Sequence, residues 1–567
     1  MQHKKRLFAA GVMPMFMIFM AVLLAACGGN TTPPGTQGQP ASADKQVFRY
    51  PNGVSDFITL DPALSQYSNS ILAEGALFSR LVALNPQNQV VDQLAQSHEV
   101  SADGLTYTFH LRNNLKFSDG SPLTADDVVY SINRAIDPAT KSQVSYYLGE
   151  VKGYDAFQSK QVSTLIGTSL IAKDSQTVEI ITGRPVGFFL AALTYVTSMV
   201  VNKKLIAKYG DQWTDHMQEG GSSGAFMVQS YSHTVGLTAV PNPYFYGPAP
   251  KLQKLQFLIS GDIDPTYKAY MANQFDFTGI PPVNLAQAKT RKDYHHAPSQ
   301  TTWYVALNYM TPPFDNIKIR QAFDLAINKD LLNKSALRGA QKPSNNIVPP
   351  GSLGYNPDLK GPDGTTNTSG NPDLAKKLLQ EGMQEKGYKS ISDLPQITLT
   401  NRVSTTLGAI AAVLIQQWQD VLGITVKQDV FELAKFEETL RSARNNAKGT
   451  QMWIAGWGED YPDPQDWLSI MFGKGANYND YNYGQNNGPT AADQAAVQDQ
   501  LSKADVMTGD QNARLKIYQD AEQKVVTNVG WLVIYNAQSH FLLNPKIVNF
   551  PDAGQIATAW PSIYVSQ

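Results

Sequence analysis

Apolar and polar residues alternate along Tyr107-Thr108-Phe109-His110-Leu111, the period of a half-buried strand. The period changes at Thr124-Ala125-Asp126-Asp127, after which Val128, Ile132 and Ala135 recur at helical spacing. Thr124 suits the N-cap, with a carboxylate three residues on and two acids facing the positive end of the helix dipole. Ile319, Phe323 and Ile327 mark a second amphipathic helix, and Leu374, Leu378 and Leu379 a third that should stop near Gly387. The stripe from Leu407 to Leu422 predicts a long helix closed by Gly423 in a left-handed C-cap. Strands are expected at once over Ile424-Thr425-Val426 and again over Met452-Trp453-Ile454-Ala455. Such alternation predicts an α/β architecture, and no internal repeat interrupts it.

The N-terminus follows a different rule. Lys4, Lys5 and Arg6 precede an apolar run that reaches Leu23 and Leu24, the layout of a secretory signal. The run ends at Leu24-Ala25-Ala26-Cys27, which resembles the bacterial lipobox, so cleavage would leave Cys27 as a lipidated first residue. The competing reading, a permanent span, needs about twenty apolar residues but gives the cysteine no role. Gly28 to Ala43 is rich in Gly, Thr, Pro, Gln and Ser and reads as a flexible tether. Anchor, tether and a large body describe a protein held at a membrane surface without spanning it.

Composition narrows the class further. The body of roughly 520 residues is too large for a single core and should divide into two or three domains. The chain carries 46 Lys+Arg against 48 Asp+Glu, a net charge of −2 that becomes about −5 without the three N-terminal cations. No basic face for nucleic acid is implied. Cys27 is the only cysteine, so the body has no disulfide.

The motifs of catalysis are weak. Gly220-Gly221-Ser222-Ser223-Gly224 satisfies the G-x-S-x-G string, but that motif needs a strand before the serine and a helix after it. Here the polar, helix-like Lys204–Gln218 stretch precedes it and strand-like Ala225-Phe226-Met227-Val228 follows, which indicates a turn. His295-His296 has no zinc-type spacing around it, and no Walker motif occurs. No metal or cofactor is expected. Asp126-Asp127 and Glu459-Asp460 are adjacent acids, and neighbours in sequence point apart, which suits capping better than paired catalysis.

Several segments together resemble the family-5 extracellular solute-binding proteins of ABC importers, the oligopeptide- and dipeptide-binding group. They are Thr59-Leu60-Asp61-Pro62; Leu105 to Arg112 with Phe117-Ser118-Asp119-Gly120; Leu123 to Ser131; Ser223-Gly224-Ala225-Phe226 with Asn242-Pro243-Tyr244-Phe245; Pro312 to Asp315 with Arg320-Gln321-Ala322; and Gly456 to Pro464. They fall in the family's order over about Val47 to Pro545. The resemblance implies a two-lobed type II periplasmic-binding-protein fold, with an additional subdomain in the first lobe and a hinge of two crossover segments. On that reading 45–70, 195–300 and 535–567 form lobe I, 71–194 its subdomain and 301–534 lobe II. The lobes would close on a ligand, and an ABC permease with its ATPase subunits would recognise the closed form of a monomeric, lipid-anchored carrier.

The resemblance also implies a site. The acid of the Gly456–Asp460 segment pairs with a peptide's free α-amino group in the family, which maps to Asp460; the bland reading is that Asp460 caps the following turn. Gly456, Trp457 and Gly458 would line the pocket and offer backbone groups to an extended oligopeptide. Tyr304 and Tyr535 fall near family tyrosines that flank the peptide, and Gln66 and Ser68 lie in a hydroxyl- and amide-rich stretch after the Leu60-Asp61-Pro62 motif. Two positions depart from the pattern: Gln66 stands near a usual acid, and Ile454 where a base often precedes the Ala455-Gly456-Trp457 segment. The same fold holding an oligosaccharide, an opine or a metal chelate is therefore the first alternative. A secreted hydrolase or a nutrient-sensing surface lipoprotein are the others.

Overall fold

The alternating run at 107–111 is the strand Thr106–Leu111, with Tyr107, Phe109 and Leu111 buried and His110 outward. It is second in an antiparallel sheet ordered Ala95–Val100, Thr106–Leu111, Thr177–Ile181, Leu170–Ala172. Helix Ala125–Ile136 packs on this sheet through Val128, Ile132 and Ala135, all buried. Its start is fixed as the sequence indicates: the Asp127 carboxylate accepts from the Thr124 backbone N–H at 2.9 Å and from its hydroxyl at 3.1 Å.

These features come from a computed structural model that describes residues 38–486, 488, 490–551 and 556–567. The basic and apolar N-terminus, Cys27 and the tether up to residue 37 lie outside the described residues. No helix among the described residues is long and apolar enough to cross a membrane.

A second four-stranded sheet sets Val47–Pro51 parallel to Lys254–Leu258, which runs antiparallel to the hairpin Gly236–Pro241 and Phe226–Ser232. The third sheet is the largest. Its order is Phe277–Gly279, Trp531–Leu543, Tyr294–Leu307, Met452–Gly458, Ile397–Arg402, Val426–Phe431, with the short strand Lys342–Pro343 added to Trp531–Leu543. The last three strands of that order are mutually parallel where they pair. The two long strands, Tyr294–Leu307 and Trp531–Leu543, pair antiparallel in two stretches separated by a register break between Pro298 and Thr302.

The helices over this third sheet follow their apolar spacing. Ile319 and Phe323 are buried on helix Ile317–Leu325, which is capped by the Asn316 side chain, and Ile327 is buried just beyond its end. Helix Pro372–Lys386 lies against it and ends at Gly387 with φ of 78°. The close approach needs a glycine: a Cβ on Gly382 would come within 2.7 Å of Ile319. Helix Thr405–Leu422 closes at Gly423 with φ of 72°, and Trp418 inside it donates to the Phe323 carbonyl at 2.9 Å. Burying each large apolar side chain of this layer contributes about 1.5–3 kcal/mol. The strand expected at Ile424 begins instead at Val426, opposite Ile397. Two residues are spent turning back after the left-handed Gly423, although Ile424 is buried on the way.

Candidate functional site

Strand Met452–Gly458 runs between Tyr294–Leu307 and Ile397–Arg402 and leaves the core as it proceeds. Met452, Trp453 and Ile454 are buried, Trp457 is partly buried, and Gly456 and Gly458 are exposed. Ile454 is buried with Val305, Leu399 and Leu532 in the apolar core under the largest sheet. Gly456 is a steric requirement: an added Cβ would stand 2.8 Å from the Trp303 ring. Gly458 is not, since its Cβ would meet nothing closer than Thr301 Oγ1 at 3.5 Å.

Beyond the strand the chain turns, and the turn gathers three carboxylates. The Asp460 N–H donates to Asp466 Oδ2 at 2.9 Å, and the Trp457 indole donates to the Asp466 carbonyl at 3.0 Å. Glu459 accepts from the Trp467 indole at 3.3 Å and from Asn88 Nδ2 at 2.9 Å. Asp460 accepts a short hydrogen bond from the Tyr147 hydroxyl. Asp463, not Asp460, caps the turn: it accepts from the Gln465 N–H at 3.0 Å and holds Arg514 at 2.6 and 2.8 Å. The Asp460 side chain is thereby left facing residues from the body that carries the two four-stranded sheets.

Those residues are mostly aromatic. The Tyr147 ring lies 4.2 Å from Tyr195 and 4.3 Å from Tyr146, centroid to centroid, and meets Tyr461 edge-on at 5.7 Å. Tyr478 lies 5.6 Å from Tyr146 and 4.9 Å from Trp457, which closes the wall on the other side. Tyr195 also donates to the Ser65 carbonyl at 3.2 Å, and the Ser65 hydroxyl bonds the buried Glu74.

The electrostatics follow from burial. Burial pushes the Asp460 carboxyl up to about 7; the Tyr147 hydrogen bond opposes the rise and the charge of Glu459 adds to it. Asp466 is raised well above the carboxylate range by burial and then by Asp460, and Glu459 is raised by burial. None of the three has a Lys, Arg or His ion-pair partner among the described residues. Their surroundings favour a cation.

The other residues singled out from the sequence are distributed differently. Gln66 and Ser68 are exposed at the start of helix Ser68–Leu77, joined to Asp460 only through Ser65, Tyr195 and Tyr147. Tyr304 is buried with its ring stacked on Trp531 at 3.6 Å, and Tyr535 is buried with its ring 6.2 Å from Trp303. Neither makes a hydrogen bond or ring contact with Asp460 or Trp457. Sequence reasoning missed Tyr146, Tyr147, Tyr195, Tyr478 and Asp466. The Tyr146-Tyr147 doublet was the one visible signal, and nothing in its spacing says which acid it would reach.

The hydrolase motif has a packing explanation. Ser222 is buried with its hydroxyl unpartnered, between a 3₁₀ segment ending at Glu219 and the strand starting at Phe226. A Cβ at Gly220 would lie 2.6 Å from Asp119, and one at Gly224 would lie 2.7 Å from the Ala76–Phe78 backbone. Close packing accounts for both glycines. His295 and His296 lie in the long strand opposite Phe541 and His540, and the described residues hold no group of three His, Cys, Asp or Glu side chains arranged for a metal.

The profile described as Bacterial extracellular solute-binding proteins, family 5 Middle matches residues 89–479. The oligopeptide-binding protein OppA of Bacillus subtilis is 26% identical over 548 residues, covering 93% of this chain and 98% of its own. The dipeptide-binding protein of Escherichia coli is 27% identical over 471 residues, 79% of this chain and 81% of its own. The structure of the Escherichia coli murein tripeptide binding protein MppA superposes with a TM-score of 0.76 at 24% identity, over 93% of this chain and 99% of that one. The fold is accordingly the two-lobed type II arrangement. The chain belongs to the bacterial extracellular solute-binding proteins of family 5.

Proposed function

We propose that the protein is the lipid-anchored binding component of an ABC importer, that it captures oligopeptides between its lobes, and that it catalyses no reaction. The observation that carries this reading is the trio Glu459, Asp460 and Asp466, three acids raised by burial and without a cationic partner among the described residues. A peptide's α-ammonium would supply the missing charge at Asp460 and displace the Tyr147 hydroxyl. Exposed Gly456 and Gly458 leave the strand open to an extended backbone, whose amides can pair with it whatever the side chains are. The names of the relatives, which include oligopeptide- and dipeptide-binding proteins, support the same cargo. The two long strands with their register break near Pro298–Thr302 would act as the hinge, and Cys27 as the anchor.

Mass spectrometry of what co-purifies with the chain after gentle denaturation tests the cargo. A ladder of short peptides is expected. A second reading, a sugar, is favoured by the Trp457–Tyr478 ring pair and the uncharged Gln66; recovery of oligosaccharide alone would replace the first reading with it. Turnover of peptide or glycoside substrates by the pure protein would overturn both.

A further inference from the structure

Away from the carboxylate site, a concavity of about 550 Å³ has Lys289 on one wall and Lys334 and Arg338 on the other. No carboxylate lines it. None of the three side chains has an ion pair or hydrogen bond among the described residues, and nothing in the lining of the hollow neutralises them. Like charges gathered around one hollow repel one another unless an anion sits between them.

The backbone sets where Arg338 stands. Arg338 has φ of 56° and is followed by Gly339 at 71°. These left-handed residues close helix Lys329–Ala336, with the Gly339 N–H on the Asn333 carbonyl at 2.9 Å, and so fix Arg338 at the helix end beside the hollow. The segment with Lys289 also presents Val283, 76% exposed, so an apolar substituent would find a surface beside the charges.

The walls have different attachments. Lys289 follows the strand Phe277–Gly279, which pairs with Phe541–Leu543; Arg338 precedes Lys342–Pro343, which pairs with Tyr535–Asn536. Both segments are thus held on strand Trp531–Leu543, one at its C-terminal end and the other near its middle. Between them His540 takes the Tyr294 hydroxyl at 2.7 Å and meets the Ala340 carbonyl at 2.7 Å.

We propose that Lys289, Lys334 and Arg338 form a binding site for a phosphate group carried by a small organic molecule. A phosphate brings up to two charges and several acceptor oxygens to three cations, where a lone carboxylate brings one charge. A phospholipid headgroup and a soluble phosphate ester share this chemistry.

The test is calorimetric titration of the full chain with two probes. Pyrophosphate represents the soluble source. Dihexanoyl phosphatidylglycerol below its micelle concentration represents the lipid source, with dihexanoyl phosphatidylcholine as its zwitterionic control. Saturable binding of at least one anionic probe is expected, weakened fivefold or more in Lys334→Gln/Arg338→Gln and also in Lys289→Gln, with unchanged melting temperature. Tighter binding of the anionic lipid assigns the headgroup, and binding of pyrophosphate alone assigns a soluble ester. The proposal is overturned if neither anion binds saturably, or if the variants bind as the parent does. Should the double variant melt lower, Lys289→Gln alone decides, because it sits on the opposite wall.

Discussion

Replacing Asp460 by asparagine keeps the shape of the side chain, its acceptor for the Tyr147 hydroxyl and its backbone N–H to Asp466. Only the charge goes. Removing one partner of a buried charge pair costs about 2–5 kcal/mol. Glu459 and Asp466 remain nearby, so the low end applies, about 2 kcal/mol or roughly 30-fold in affinity. Stability should move the other way. Asp460 stands at about 7 in the folded chain against an ordinary 3.8, so the folded state binds more protons than the unfolded one between those limits. Stability therefore falls as pH rises through that window and levels off above it. At about 1.36 kcal/mol per pH unit the full penalty is ~4 kcal/mol. Partial solvent contact and proton sharing with Asp466 reduce it to about 1–2 kcal/mol.

The Asp460→Asn variant should thus bind a free-amine tripeptide about 30-fold more weakly while melting about 1–2 °C higher at pH 8. N-acetylation of the peptide should cost the parent a similar factor and cost the variant little. Calorimetric titration with both peptides, beside melts at pH 4.5 and pH 8, reads all of this. Unchanged affinity would refute the role of Asp460. Affinity lost together with a lowered melting temperature would refute the electrostatic argument and leave simple structural damage.

Glu522 is buried at a carboxyl pushed up to about 8, with one oxygen accepting the Ile347 and Val348 N–H groups at 2.9 Å each. By the same sign rule, Glu522→Gln should gain melting temperature relative to the parent as pH rises from about 5 to about 8, then hold a constant gap; a gap that is flat from pH 5 to pH 9 would contradict it. Gly456→Ala should cost about 1–3 kcal/mol against the Trp303 ring, whereas Gly458→Ala should stay within about 0.5 kcal/mol. Equal losses in denaturant melts would show that the two glycines are held for the same reason. Cys27→Ala should abolish labelling by a radioactive fatty acid, and labelling at the parental level would remove the lipobox assignment.

Periodicity read the framework of this molecule well because most of its helices and strands bury one face. Val128 and Ile132, or Ile319 and Phe323, had no other way to be satisfied, and Gly387 and Gly423 marked real helix ends. The Ile424 strand began two residues late because periodicity carries no information about how a chain re-enters a ladder. The site was legible only along the Gly456–Asp460 segment. Its other half comes from Tyr146, Tyr147 and Tyr195, more than 250 residues earlier in the chain, and their contact with Asp460 exists only once the two bodies meet. Tyr304 and Tyr535 were legible as tyrosines of the largest sheet, but that their rings lie beside Trp531 and Trp303 depends on strand register and is not written in their own spacing.

The Tyr147 hydroxyl donates to Asp460 within the chain itself. A ligand amine proposed to bind Asp460 would then compete with an internal surrogate that is always available at high effective concentration. Weak amines would fail that competition, and strong ones would be bound less tightly than their contacts alone allow. On the proposed reading of Asp460, a resident competitor of this kind would turn release into an exchange: as the cargo's ammonium departed, the tyrosine would take back its place.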